Sequence, residues 1–146
     1  MVERSAGAII FREAKGKIYY LLLHYPSISH RAEKNYWDFS KGHIEKKEKP
    51  EVTVEREIKE ETGLEDIEFI EGFKETIKYF FKFRGENILK FVTFYLIKTR
   101  TKDVKVSFEH TGYKWLPYQE ALEQLTFKNA REIFKRANEF LLEKNI

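Results

Sequence analysis

Residues 42 to 64 read GHIEKKEKPEVTVEREIKEETGL. This is a glycine loop running into an amphipathic helix that begins near Pro50. Proline fits the first helical turn, where its missing N–H is not needed, and Gly63 fits the left-handed position that closes a helix. On that helix Glu57, Glu60 and Glu61 stand at i, i+3 and i+4, so they share one stripe of its surface. Like charges at i, i+4 cost an isolated helix about 0.2–0.5 kcal/mol, which calls for a compensating positive charge. Oxygen-only ligands suit a hard divalent cation such as Mg²⁺ or Mn²⁺. The ordinary alternative is a solvated helix laced by the pairs Glu55/Lys59 and Arg56/Glu60.

The spacing favours the metal. Gly42, Glu48 six positions on, and then Arg56-Glu57-Ile58-Lys59-Glu60-Glu61-Thr62-Gly63-Leu64 fill every fixed position of the pattern G-x₅-E-x₇-R-E-U-x-E-E-x-G-U, with U bulky and apolar. In this the chain resembles the Nudix hydrolases, and so many fixed positions are not met by chance at ordinary residue frequencies.

A chain of 146 residues, 42% hydrophobic and 16% aromatic, is long enough for a sizeable core and is expected to form one domain over residues 1–146. No long apolar run, signal peptide or lipidation pattern directs it to a membrane, so a cytoplasmic location is the expectation. The absence of cysteine excludes disulfides and thiol chemistry. A composition 35% charged and rich in Lys and Glu is similar to that of proteins from hot habitats. His24, His30, His43 and His110 are scattered without zinc spacing. The net charge of +3 conceals an uneven distribution: residues 45–71 hold 11 acidic and 5 basic residues, leaving +9 elsewhere. An acidic island in a basic surround suits a metal acting on a polyphosphate.

Outward from the helix, Val2–Phe11 and Ile18–Tyr25 read as strands joined at Lys15-Gly16-Lys17, a hairpin. Residues 26 to 35 read as a loop, and Tyr36–Phe39 as a short aromatic strand. Ile67–Phe83 and Ile88–Lys98 form a second antiparallel pair across Arg84-Gly85-Glu86-Asn87, with Gly72 a point for a kink. Gly112–Leu116 reads as a strand, Pro117 opens a short helix, and Asn129–Lys144 is a closing helix burying Ile133, Ala137, Phe140 and Leu141. These elements imply an α+β fold with a mixed sheet covered on both faces. The Nudix resemblance implies more: an α/β/α sandwich with a loop-helix-loop catalytic motif.

Within that superfamily the segments SAGAIIF, YWDFSKGHIE, EGFKETIKYF and FEHTGYKWL look like counterparts of segments in the asymmetric diadenosine tetraphosphate hydrolases. The resemblance implies cleavage of a dinucleoside polyphosphate to a nucleoside triphosphate and a monophosphate by a metal-activated water. It assigns the Gly42 carbonyl, Glu57, Glu60, Glu61 and Glu109 to Mg²⁺ or Mn²⁺, with Glu57, Glu61 and Glu109 catalytic. Glu48 and Arg56 brace the loop. Lys41, His43 and Lys74 face the substrate phosphates, and Tyr79 and Tyr113 offer rings to adenine, since base stacking contributes about 1–3 kcal/mol. Relatives often carry a histidine where Tyr36 stands; His30 and Arg31 are nearby substitutes. No stable nucleic acid partner is expected. Two other readings are a Nudix pyrophosphatase for a damaged nucleoside triphosphate, nucleotide sugar or RNA 5′ end, and a nucleotide-sensing module without catalysis.

Overall fold

The computed structural model describes residues 1–26, 35–107 and 110–144. The expectations for His30, Arg31 and Glu109 lie outside these residues. Strands β1 (Val2–Ala14) and β2 (Lys17–Tyr25) pair antiparallel around Lys15 and Gly16. Both turn residues have positive φ, 52° and 77°. That is the two-residue turn whose twist matches the strands it joins. The same device, Arg84 and Gly85 at 52° and 80°, joins β5 (Ile67–Phe83) to β6 (Glu86–Thr99).

Among the described residues β1 is the hub of a seven-stranded sheet, five of whose strands run in the order β3 (Tyr36–Asp38), β2, β1, β6, β5, with two more off this path. It runs parallel to β6 along ten residues, Val2 to Phe11, and antiparallel to β2, so the sheet is mixed. The short β3 (Tyr36–Asp38) pairs with β2. So does β7 (Gly112–Leu116). Ser40–His43, which the sequence presents as a glycine loop, forms a further strand, β4, antiparallel to β1 at Ser5–Ala8. The peptide groups of β1 needed a partner beyond the end of the hairpin, and this segment supplies it.

Helix α1 (Pro50–Thr62) begins with Pro50 in its first turn and ends at Gly63, φ 74°, whose N–H donates to the Lys59 carbonyl. It packs Val54 and Ile58 against Ala6, Ala8, Ile10, Leu21 and Leu23 on one sheet face. The opposite face carries α2 (Tyr118–Gln124) and α3 (Lys128–Lys144). Ala130, Ile133, Phe134, Ala137 and Leu141 of α3 are buried there, a stripe at helical spacing that adds Ala130 and Phe134 to the expected set, while Phe140 is partly buried. The result is the expected α+β sandwich. Among the described residues, no helix is long and apolar enough to cross a membrane.

One irregularity decides which side chains reach each face. Between Phe69 and Lys74 the β5/β6 register shifts, and Gly72 there has φ 98°. A bulge of this kind flips the parity of side chains. Phe69 faces α1, whereas Phe73, Ile77 and Tyr79 face α3. Gly72 is also required by space, because an added Cβ would lie 3.0 Å from Phe140 Cζ.

Candidate active site

β4 divides the site. Pleating sends alternate side chains to opposite faces. Ser40 and Gly42, across from Ala8 and Ala6, face α1, while Lys41, across from Gly7, faces α3.

On the α1 face, Gly42 lies directly under Glu57; a Cβ at residue 42 would overlap the Glu57 carboxylate. Glu57 is partly buried and has its pKa pushed up to about 8, by burial first and by Glu61 second, with Arg56 opposing. Its carboxylate is therefore poorly compensated as an anion. Glu61 is buried, accepts from Ser40 Oγ at 2.5 Å, and has Oε2 3.1 Å from His110 Nε2, which is not aligned for a hydrogen bond. His110 is fully enclosed, held by Ser107 Oγ at its Nδ1 and by the edge of the Tyr25 ring. The Tyr25 hydroxyl donates to the Phe39 carbonyl and is kept protonated, chiefly by burial and then by Glu61.

The loop before α1 is tied down by one ion pair. Arg56 donates from Nε to Glu48 Oε2 at 2.9 Å and from Nη2 to Oε1 at 3.0 Å, a two-pronged contact. Glu48 also accepts from Thr53 Oγ1 and the Glu45 N–H, and its pKa falls to about 2, mainly through Arg56. Arg56 Nη2 donates to the His43 carbonyl as well. Its Nη1 reaches Glu57 at 3.3 Å and the exposed Glu60 at 3.6 Å. His43 is exposed at the end of β4, and the exposed Lys74 holds Nζ 5.9 Å from the Tyr95 ring centre, on the α1 face.

On the other face, Lys41 Nζ donates to the buried Asp38 Oδ2 at 2.9 Å. Burial, the largest single cause, would push its pKa down, but Asp38 with Tyr79 and Tyr36 together outweigh it and the net shift is upward, so the group is a secure cation. Lys41 lines a cavity of about 180 Å³ together with Tyr79, Tyr36, Phe81, Phe127 and Asn129. Tyr36 and Phe127 lie with ring centres 5.1 Å apart. The structure brings Tyr79 to this pocket but not Tyr113, which stands opposite Leu23 on the α1 face. Tyr36, Phe81 and Phe127 were not singled out from the sequence as ligand-facing. For Tyr36 the signal was present, since it stands where relatives often carry a histidine; for Phe127, 86 residues from Lys41 in the chain, there was none.

Beside the enclosed His110, the described groups around Gly42 offer carboxylate and carbonyl oxygens, the donors of a hard cation. Among the described residues, however, no three His, Asp or Glu side chains converge around one point. Glu60 is drawn away towards Arg56, and Glu61 towards Ser40 and His110. The poorly compensated Glu57 against Gly42 is the element that fits a bound cation.

Residues 1–137 match the family model described as NUDIX domain. With this fold and the arrangement around Gly42 and Glu57, the chain belongs to the Nudix family and is a Nudix pyrophosphohydrolase. Among its relatives is the asymmetrical bis(5′-nucleosyl)-tetraphosphatase of Caenorhabditis elegans, 30% identical over 97% of this chain and 98% of that one. The RNA pyrophosphohydrolase of a Nitratiruptor species is 30% identical over 71% of this chain and 72% of that one. A crystal structure of a C. elegans Ap4A hydrolase binary complex aligns with TM-score 0.81 and 28% identity, covering 97% of this chain and 98% of that one.

Proposed function

We propose that the chain hydrolyses dinucleoside polyphosphates, taking diadenosine tetraphosphate to ATP and AMP. The observation that carries this is the aromatic pocket around Tyr79, joined through Lys41 to the carboxylates beyond Gly42. One adenine stacks in the pocket against Tyr79 with Tyr36 and Phe127 around it. Lys41, with its Asp38 partner, holds the first phosphates, and a point-charge ammonium suits that task. The phosphate chain then crosses the outer edge of β4, which among the described residues pairs only with β1. His43 contacts the chain beyond that edge, and Lys74 stands on the same α1 face on β5, with β1 and β6 between it and β4.

A divalent cation such as Mg²⁺ or Mn²⁺ would be held by Glu57 and the Gly42 carbonyl, together with Glu60, Glu61 and Glu109, and would supply charge neutralisation and acidify a water for attack on phosphorus. Ser40 fixes the Glu61 carboxylate, and the Glu48–Arg56 pair fixes the loop that follows Gly42. Because the adenine is anchored at a set distance from the carboxylates, attack falls on one phosphorus off centre. Chromatography of the initial products from diadenosine tetraphosphate tests this: ATP and AMP are expected, and two ADP would overturn the assignment. A second reading, removal of pyrophosphate from an RNA 5′ end, is favoured by the 30% identity to an RNA pyrophosphohydrolase. Release of pyrophosphate from 5′-triphosphorylated RNA at a higher kcat/KM than dinucleotide cleavage would establish it instead.

A further inference from the structure

The α1 face of the sheet is not fully covered by α1. The registers of β1, β6 and β5 lay its open part out in rows, which run outward from the helix. Ala6, Thr93 and Thr76 form one row, level with Gly42 and so with Glu57. The next is Arg4–Phe91–Lys78, then Val2–Leu89–Phe80, and finally Asn87–Lys82. Phe80 is 72% exposed and Val2 53%, so no other part of the described chain covers this face. Arg4 lies over the Phe91 ring at 4.8 Å. Among the described residues neither Lys78 nor Lys82 has an ion-pair partner, and no carboxylate occupies any of these row positions.

We propose that this open face of the β5–β6 ribbon binds single-stranded polynucleotide, with Lys78, Lys82 and Arg4 on its phosphates and a base stacked on Phe80. Cations flanking an exposed ring on a flat strand surface are the two components such binding uses, one for the backbone and one for the bases. Charge complementarity singles out the occupant. A row of cations with no carboxylate among them repels a second copy of the same face, while a phosphate backbone neutralises it. The face also begins one row from Glu57: Arg4 follows Ala6 at about 7 Å along β1, two residues of strand. A strand lying on it has its end within reach of the carboxylates. Binding here is independent of the dinucleotide pocket, which lies on the other side of the sheet.

The test is fluorescence anisotropy with a labelled single-stranded RNA of about ten nucleotides, matched to the span of one such platform, over a series of salt concentrations. The full chain is compared with Lys78→Glu/Lys82→Glu and with Phe80→Ala, all substitutions at exposed positions. Each lost phosphate contact lowers the slope of log K against log salt by about 0.7, so the double charge variant should lose about 1.4. Phe80→Ala should weaken binding about tenfold with the slope unchanged. Hydrolysis of diadenosine tetraphosphate should proceed at the normal rate in all variants, which separates failure here from failure of the proposed activity. Equal RNA affinity and slope in all three proteins, or no binding by the unaltered chain, overturns the proposal. So does a dimer of the unaltered chain in light scattering that Phe80→Ala dissociates, since the face would then be a self-contact.

Discussion

The two faces of β4 solve opposite electrostatic problems with adjacent residues. Gly42 gives the α1 face no side chain, and the space admits a carboxylate that burial and Glu61 leave poorly compensated. Lys41 gives the α3 face a cation already matched by Asp38 at 2.9 Å and enclosed by aromatic rings. The first face is unfinished without a positive guest. The second is complete and offers shape and stacking. On the proposed function, chemistry and recognition are separated by one strand four residues long, and their coupling depends on its pleat.

If the separation is real, the faces fail differently. The largest effect belongs to the carboxylates: Glu61→Gln should lower kcat on the order of 10³-fold or more while the affinity for ATP, measured by calorimetry without divalent cation, stays within about twofold. Activity should vanish in excess chelator and return with Mg²⁺ or Mn²⁺. Full activity in chelator breaks the comparison, because the α1 face would then need no guest.

Next in size is Tyr79→Ala on the other face. Loss of a stacking ring should weaken nucleotide binding by about 1–3 kcal/mol, seen as raised KM with kcat nearly unchanged. A fall in kcat alone would mean that Tyr79 acts on the reacting phosphates and that the faces are not separate. The parallel substitution Tyr113→Ala sharpens the result, since Tyr113 stands opposite Leu23 outside the pocket, and its removal should leave KM within about twofold.

How far this division was legible in the sequence depends on the range of the forces involved. The hairpins rest on two residues each, Lys15-Gly16 and Arg84-Gly85, and α1 on Pro50 and Gly63; such local conformational demands are written in adjacent residues. The spacing of the Nudix pattern likewise lies within one loop and helix. β4 was not legible, because Ser40-Lys41-Gly42-His43 becomes a strand only when β1 offers its unpaired edge. Which face Tyr79 occupies was hidden too. Counting by twos along β5 from Ile67 or Phe69 would put it with α1, and only the bulge around Gly72 moves it to α3. The glycine was visible, but not the register shift it produces. Phe127 joins the pocket through the docking of α3, a packing outcome with no local signature.

The smallest effect concerns the brace, and it tests whether the α1 face is held by charge or merely by packing. Glu48 sits at about 2 in the folded chain against an ordinary 4.5, with Arg56 the main cause. A carboxylate lowered on folding contributes stability that is fully present above the unfolded value, here about 4.5, and is lost as pH falls towards 2. Thermal unfolding of the native chain and of Glu48→Gln should therefore differ most near neutral pH, with the difference in Tm shrinking steadily between about pH 4.5 and pH 2. Because Arg56 also contacts Glu57 and the His43 carbonyl at the end of β4, releasing it shifts the segment next to Gly42, so Glu48→Gln should lower kcat at neutral pH as well. ATP affinity on the far side of β4 should not move. A Tm difference constant across that window would assign the role of Glu48 to its neutral hydrogen bonds with Thr53 and the Glu45 N–H, which glutamine can replace in part, and the charge would drop out of the account.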